Sequence, residues 1–272
     1  MNDPTAPLYP PDSIIRRISR ERAVLVAGPA AAILQVAHPR VGLGVAEHSD
    51  FTNDAIGRLN RTMNTVNAIV FGTRADAARI RERMLAMHER IRGNAAGAGV
   101  GGAPAYHALE PDLLLWVLAT LCMSGVRGYE WLAGQPLRDT ERREYLAQIR
   151  EFGEVFGLPR GYGPQTWEDF AAYYQGMLEG DLLASHPVCA EQARQVLMPA
   201  KPRWAGVMAR SLAGLSASFI PEPVRERLGF GGLAWPPAVI ERAARFTRAI
   251  LPVLPARVRY MPEYLRAHHW LS

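Results

Sequence analysis

The residues most able to do chemistry in this chain are a few histidines, arginines and carboxylates set beside apolar helical stripes. In Arg74–Arg92 the residues Ala77, Ile80, Met84, Met87 and Ile91 recur at three and four positions and predict a buried stripe. His88 stands at the edge of that stripe, one turn beyond Met84, with Arg81 and Arg92 near it and Arg79, Glu82, Arg83, Glu89 and Arg90 on the outer face. Neutral imidazole is the commonest protein ligand of metals. On this helix alone, a hydrogen-bonded structural histidine at a core boundary is the commoner reading.

The preceding segment, from Asp54 to about Phe71, has an apolar stripe of Ile56, Leu59, Met63, Val66 and Val70. Asn60, Asn64 and Asn67 fall on the far side, and Arg58, Arg61, Thr62 and Thr65 form a third strip. Arg58 and Thr62 are one turn apart and face the same way. Arginines beside a core stripe can meet the carboxylates of a buried anionic ligand, although spacing alone favours an ordinary solvated face. The run His38–Phe51 adds His38, Glu47, His48 and Asp50. Such a set can bind a metal or serve as acid and base, or simply cap the next helix as a polar loop. It lacks a standard zinc spacing.

Other chemistries leave no trace. The chain contains no G-x-S-x-G elbow, phosphate-binding loop or dinucleotide fingerprint. The glycines of Gly97–Gly102 follow a helix and precede no βα unit, so Gly93–Pro104 reads as a flexible connector.

The elements that must hold these residues are helical. Alternating β-branched runs are almost absent and the helical period dominates. Ser13 to about Ala37 predicts one or two helices broken near Gly28-Pro29, ending at His38-Pro39 because the residue before proline avoids the α region. Gly42–Phe51 reads as a loop, and Gly72-Thr73 separates two strong helices. Glu110-Pro111-Asp112 opens an apolar helix to about Trp131, with proline near the first turn as helix starts prefer. Thr140–Phe156, Trp167–Leu183, Pro187–Met198 and Arg203–Ala217 follow, then short helices alternating with prolines. The expectation is an all-α, single-domain bundle of about ten helices spanning residues 1–272.

The 272 residues carry a formal net charge of +5, mostly from arginines spread along the chain, without the basic stripe a nucleic-acid partner needs. The two cysteines, Cys122 and Cys189, do not make a disulfide framework and suit a reducing compartment. Met1–Ile14 lacks an apolar signal region. Leu113–Gly125, about 13 residues, is short of the roughly 20 a membrane span needs and reads as a buried helix. These features predict a cytoplasmic protein with no transmembrane segment.

Taken in order, several short motifs resemble one family. H-P-R-V-G-L-G-V-A-E-H-S-D-F (His38–Phe51), R-L-N-R-T (Arg58–Thr62), V-F-G-T (Val70–Thr73), M-H-E-R-I-R-G (Met87–Gly93) and Y-H-A-L-E-P-D-L-L-L-W-V (Tyr106–Val117) resemble the catalytic domain shared by the MpaB-type oxygenases and the rubber oxygenase called latex-clearing protein. The strong part spans about His38 to Trp131. Weaker matches are L-P-x-x-Y-G-P with W-x-x-F in Leu158–Phe170, and L-P-A-R-V-R-Y-M-P in Leu254–Pro262.

The resemblance implies an all-α fold with a haem pocket for one haem b. His88 matches the axial histidine, which follows an Arg-x-x-x-Thr motif matched by Arg58 and Thr62, and Arg92 matches a basic residue one turn later. Arg61 stands where rubber oxygenase has a lysine. Arginine stays protonated and has no lone pair to give iron, so an open or water-bound distal side is expected unless His38 or His48 closes it. The implied activity is that of an oxygenase or oxidase using O2 on a small apolar substrate. Arg58, Arg61 and Thr62 would act at the site, with Glu47, His48 or Asp50 as base. A non-catalytic haem sensor or carrier is the alternative, and an interaction protein without cofactor is a third reading. His107 is a further histidine to test as ligand. A homo-oligomer is compatible with all three.

Overall fold

The computed structural model describes residues 3–48, 51–93, 105–197 and 206–268, with backbone alone at 51–56, 58–59 and 206–210. Among these residues the chain forms fourteen α-helices. The expected sheet content is also found, since the only named strands among the described residues are two-residue pieces. These strands, β1 (Arg92–Gly93) and β2 (Tyr106–His107), pair antiparallel, Arg92 opposite His107 and Gly93 opposite Tyr106. The chain is all-α, as its periodicity predicts, with more and shorter helices than the ten expected. The excess comes from a helix at Pro39–His48 and from the proline-punctuated C-terminal part, where Pro223, Pro237 and Pro262 sit in the first turns of separate helices.

The core is organised about α6 (Pro111–Ala133). Pro111 occupies the first turn, where a missing N–H costs nothing, and Asp112 lies beside it, where the helix dipole favours a negative charge. Leu113, Leu114, Leu115, Trp116, Leu118, Ala119 and Cys122 are all buried, so the helix is sealed around most of its girth. Trp116 donates its indole N–H to the Leu34 carbonyl at 3.0 Å and stacks on Tyr174 with centroids 5.9 Å apart. Against α6 lie α2 (Gly28–Ala37) and α7 (Asp139–Val155), and α2 also packs on α9 (Pro187–Leu197). Both cysteines are buried and unpaired by disulfide, serving as small hydrophobes. No single helix among the described residues is long and apolar enough to cross a membrane.

Several boundaries differ from expectation, among them the helix expected over Arg74–Arg92, which ends at His88. The break in the first helical segment precedes Gly28: α1 (Ile14–Ser19) ends early, a 3₁₀ turn covers Arg22–Ala27, and Pro29 sits in the first turn of α2. The run read as a loop is largely α3 (Pro39–His48). Glycines at 42 and 44 weaken helix propensity by about 1 kcal/mol each, which made the segment read as irregular. Tertiary contact overrides that weakness, because α3 packs on α2, α9 and β2 and buries Gly42, Leu43 and Gly44.

α4 (Phe51–Phe71) and α5 (Arg74–His88) are joined through Gly72-Thr73. α4 packs on α1, α9 and α14 (Pro262–Ala267), whereas α5 packs on α7. The two helices touch near their junction and take different partners beyond it. Residues 94–104, most of the expected connector, lie outside the described residues, but its two ends are held together by the β1–β2 pair.

Candidate haem-ligand and active site

α5 starts at a capping box. Thr73 Oγ1 accepts from the Asp76 amide at 3.1 Å, and the Asp76 carboxylate accepts from the Thr73 amide at 2.9 Å and hydroxyl at 2.7 Å. Those bonds hold the Asp76 carboxyl below its usual range, the Thr73 backbone bond having the largest effect. From this fixed start the inner face runs through Ala77, Ile80, Met84 and His88. Ala77 and Ile80 are buried, while Met84 and His88 are half-buried. The sequence placed Met87 in the stripe and His88 at its edge; the structure turns the helix slightly further. Met87 is 44% exposed, and His88 continues the buried line.

The wall beside His88 is apolar. Gly157 follows α7 with a left-handed φ of 104°, and a Cβ there would lie 2.8 Å from Leu85 Cδ2 and 3.2 Å from Leu109 Cδ2. Only glycine combines that φ with so close an approach. Burial pushes the His88 ring below its ordinary pKa; the Phe156 backbone opposes this and the neighbouring His107 adds to it. His88 is thus a neutral imidazole near pH 7. Its Nδ1 is buried and has no hydrogen-bond partner. Nε2 of His107 is likewise buried without a hydrogen bond, lying 3.7 Å from the Glu89 carboxylate.

Arg92, expected near a haem propionate, is engaged locally. It donates to the Glu89 carboxylate at 2.6 Å and to the Glu89 carbonyl at 2.7 Å. It therefore satisfies a carbonyl at the C-terminal end of α5 from an exposed position. His48 lies nearby, its Nε2 3.3 Å from the Arg92 carbonyl. Glu47 accepts a hydrogen bond from the Tyr106 hydroxyl. The Tyr106 ring fills the space over Gly93, where a Cβ would sit 2.4 Å from the ring. Burial first, and the Glu47 carboxylate second, hold the Tyr106 hydroxyl well above its ordinary pKa, so it stays a donor.

Glu47, His48, Arg92 and His88 are thus linked through Tyr106, Glu89 and His107 at one end of the molecule. Arg40 extends the set by pairing with Glu110, which accepts from the His107 amide at 2.7 Å. Sequence reasoning missed Arg40, Tyr106 and Glu110 as a group. The pattern H-P-R in α3 and Y-H-A-L-E-P before α6 contains them, but only the β1–β2 pairing shows that they meet.

The other predicted residues are spread more widely. Arg61 and Thr62 lie exposed on α4. Arg58 lies in the same helix, but its side chain falls outside the described residues, as does Asp50. His38 is buried at the corner between α2 and α3, with Nδ1 unpartnered. Its pKa is pushed down to about 4, first by burial and then by Arg40. Asn67, predicted to face outward, is buried. Among the described residues no three His, Cys, Asp or Glu side chains gather as a metal cluster.

Two clefts flank α4 on its α14 side. One, about 200 Å³, is lined by Arg22, Asn60, Met63, Asn64 and Met261, among others. The larger, about 500 Å³, lies between α4, α5 and α14. Glu263 borders both.

Residues 15–251 match the family described as ER-bound oxygenase mpaB/B'/Rubber oxygenase, catalytic domain. An uncharacterised protein of Mycobacterium tuberculosis is 29% identical over 206 residues, covering 74% of this chain and 71% of its own length, and an uncharacterised protein of Mycobacterium bovis matches to the same extent. No solved structure matches significantly. A match over this much of an all-helical chain makes it a member of the MpaB/rubber oxygenase catalytic-domain family, and hence a protein of oxygenase type.

Proposed function

We propose that the chain is a haem b-dependent oxygenase that acts with O2 on a small apolar molecule, His88 being the axial ligand. The observation that carries this reading is the His88 imidazole: neutral and half-buried, with the Phe156 backbone as a hydrogen-bond partner of the ring but a buried Nδ1 left without one. A buried polar atom without a partner costs about 1–3 kcal/mol, and a ligand role accounts for a ring left in that state. One imidazole suits a macrocycle that brings its own in-plane nitrogens, whereas a metal held by side chains alone needs more donors. Bound haem supplies the iron centre for O2 chemistry, and the protein sets its ligand, polarity and access.

The protein's own residues then divide the work. His88 stays deprotonated because burial disfavours its cation, so its lone pair is available at neutral pH. Arg58 would supply a cation, Thr62, one turn later in the sequence, a hydroxyl, and Arg61 remains a donor beside Thr62. Glu47 holds the Tyr106 proton and His48 stands next to it on α3, giving a carboxylate and an imidazole able to move a proton at the end of α5. Arg92, fastened to Glu89, braces the end of α5 and hence the position of His88.

The test begins with the ultraviolet–visible spectrum of the purified protein, where a Soret band is expected. His88→Ala should lose stable haem while keeping its helical circular dichroism, and Arg58→Ala should weaken haem retention more mildly. Full haem and an unchanged Soret band in His88→Ala would overturn the ligand assignment. Haem retention without aerobic turnover of any alkene or prenyl compound would favour a sensor or carrier instead.

A further inference from the structure

The cleft between α4, α5 and α14 has features that the proposed haem chemistry does not use, and His88 is not among its lining residues. Its volume of about 500 Å³ falls in the ordinary range of small-molecule sites. Ala68, Phe71 and Ile80 give it an apolar wall, and Phe71 and Ile80 are themselves core residues. Its polar groups are left incomplete. Asn67, only 1% exposed, lines the cleft, and its Nδ2 has no hydrogen-bond partner. Glu263 gives Oε1 to Arg266 at 3.0 Å, but its buried Oε2 has no partner. Three arginines line the cleft: Arg79 is paired with Asp76 and Arg266 with Glu263, whereas Arg83 has no acidic partner among the described residues.

We infer that this cleft binds a small aliphatic monocarboxylate that also carries a hydroxyl. Three cations against two carboxylates leave one positive charge, which suits a monoanion better than a dianion. Arg83 meets the ligand's carboxylate, and the Asn67 amide supplies a second donor. Glu263 Oε2 requires a donor in return, which the hydroxyl provides and a plain fatty acid lacks. The aliphatic chain lies along Ala68, Phe71 and Ile80. Asn67 is unusual on a helix face that is otherwise closed by core packing. A buried amide with an unsatisfied donor is destabilising unless a partner arrives, and a ligand is that partner.

The inference is tested by isothermal titration and thermal shift of the full chain with 3-hydroxyoctanoate, octanoate, 1-octanol and inorganic phosphate. Saturable binding of 3-hydroxyoctanoate is expected, with octanoate weaker and 1-octanol and phosphate weaker still. Arg83→Ala should bind about tenfold to a hundredfold more weakly, the range for losing one charge-assisted hydrogen bond. Arg83 is exposed, so this variant keeps the fold. Asn67→Ala should also bind more weakly, yet unfold at the same or a higher temperature without ligand. A purely structural Asn67 would instead lower the melting temperature. No saturable binding, equal binding of octanoate and phosphate, or unchanged affinity in Arg83→Ala would each overturn the assignment. Repeating the titration on His88→Ala separates this site from the haem proposal, because cleft binding should survive there.

Discussion

At the scale of single residues, burial sets protonation, and protonation makes stability depend on pH. His38 sits at the α2–α3 corner with Arg40, Glu110 and Asp112 as its charged neighbours. Burial and Arg40 outweigh the two carboxylates, so the ring titrates near 4 in the folded chain against 6.5 ordinarily. As pH falls, the unfolded chain takes up this proton first. Stability from a neutral His38 is therefore complete above pH 6.5 and declines as pH drops toward 4. The full difference is about 3 kcal/mol, and His88, shifted in the same direction, adds to the same trend. His38→Gln should flatten the dependence. Urea midpoints measured from pH 4.5 to 7 should fall more steeply with acid for the wild type than for the variant, and parallel curves would show that His38 does not carry the effect. Residue type alone pointed to His38 and His88 as notable. It did not show that Asn67 would be buried or that Arg92 would be tied to Glu89, because both depend on neighbours remote in space or on the way a helix ends.

At the scale of elements, the positioning of His88 depends on where α5 starts. The Thr73–Asp76 capping box fixes the first turn, and His88 lies four turns later on the same rigid rod. Thr73→Ala removes the acceptor for the Asp76 amide and should cost about 1 kcal/mol, up to about 2. That corresponds to a melting temperature lower by about 2–4 °C for each kcal/mol in a chain of this size, read by circular dichroism at 222 nm. An unchanged midpoint would mean that the bonds are replaced by water without loss. The start of this helix was legible from the sequence, where Gly72-Thr73 divides it from α4, but its end was read too late, at Arg92: the helix stops at His88 and Arg92 pairs with His107 in β1–β2. α3 was not legible, because two glycines and a proline in ten residues read as a loop. Its helicity comes from packing on α2, α9 and Tyr106, which no local signal encodes. The β1–β2 pair was hidden for a related reason. Two residues on each side are too few for a period, and their partnership is across the connector.

At the scale of the whole molecule, segments near the two ends close on each other, and the ion pair of Glu21 with Arg259 is the clasp. The matched family region ends at residue 251, yet the segment beyond it is part of the fold. Glu21, 5% exposed, accepts from Arg259 Nη2 at 2.8 Å and Nε at 3.0 Å. Around the pair, the Met261 amide donates to the Arg20 carbonyl at 2.9 Å and Arg22 Nε donates to the Tyr260 carbonyl at 2.8 Å. Met261, Tyr264 and Leu265 then complete the core, with the Tyr264 ring edge-on to Phe71 of α4. The weak motif L-P-A-R-V-R-Y-M-P already hinted that this segment belongs with the rest; the structure shows why, since its second arginine neutralises an acid from the N-terminal region. Removing one partner of a buried pair strands the other charge, which costs about 3–5 kcal/mol when no other group can help. Arg259 is partly exposed and Arg20 Nε lies 3.7 Å from Glu21, so Arg259→Ala should cost less, about 2–3 kcal/mol. Glu21→Gln combined with Arg259→Met leaves no stranded charge and should recover most of that loss. Urea unfolding of the wild type, Glu21→Gln, Arg259→Met and the double variant gives the coupling directly. A loss below about 1 kcal/mol in Arg259→Ala, the range of exposed pairs, would show that these segments are held by the Met261–Arg20 and Arg22–Tyr260 hydrogen bonds and by the packing of Met261, Tyr264 and Leu265 instead.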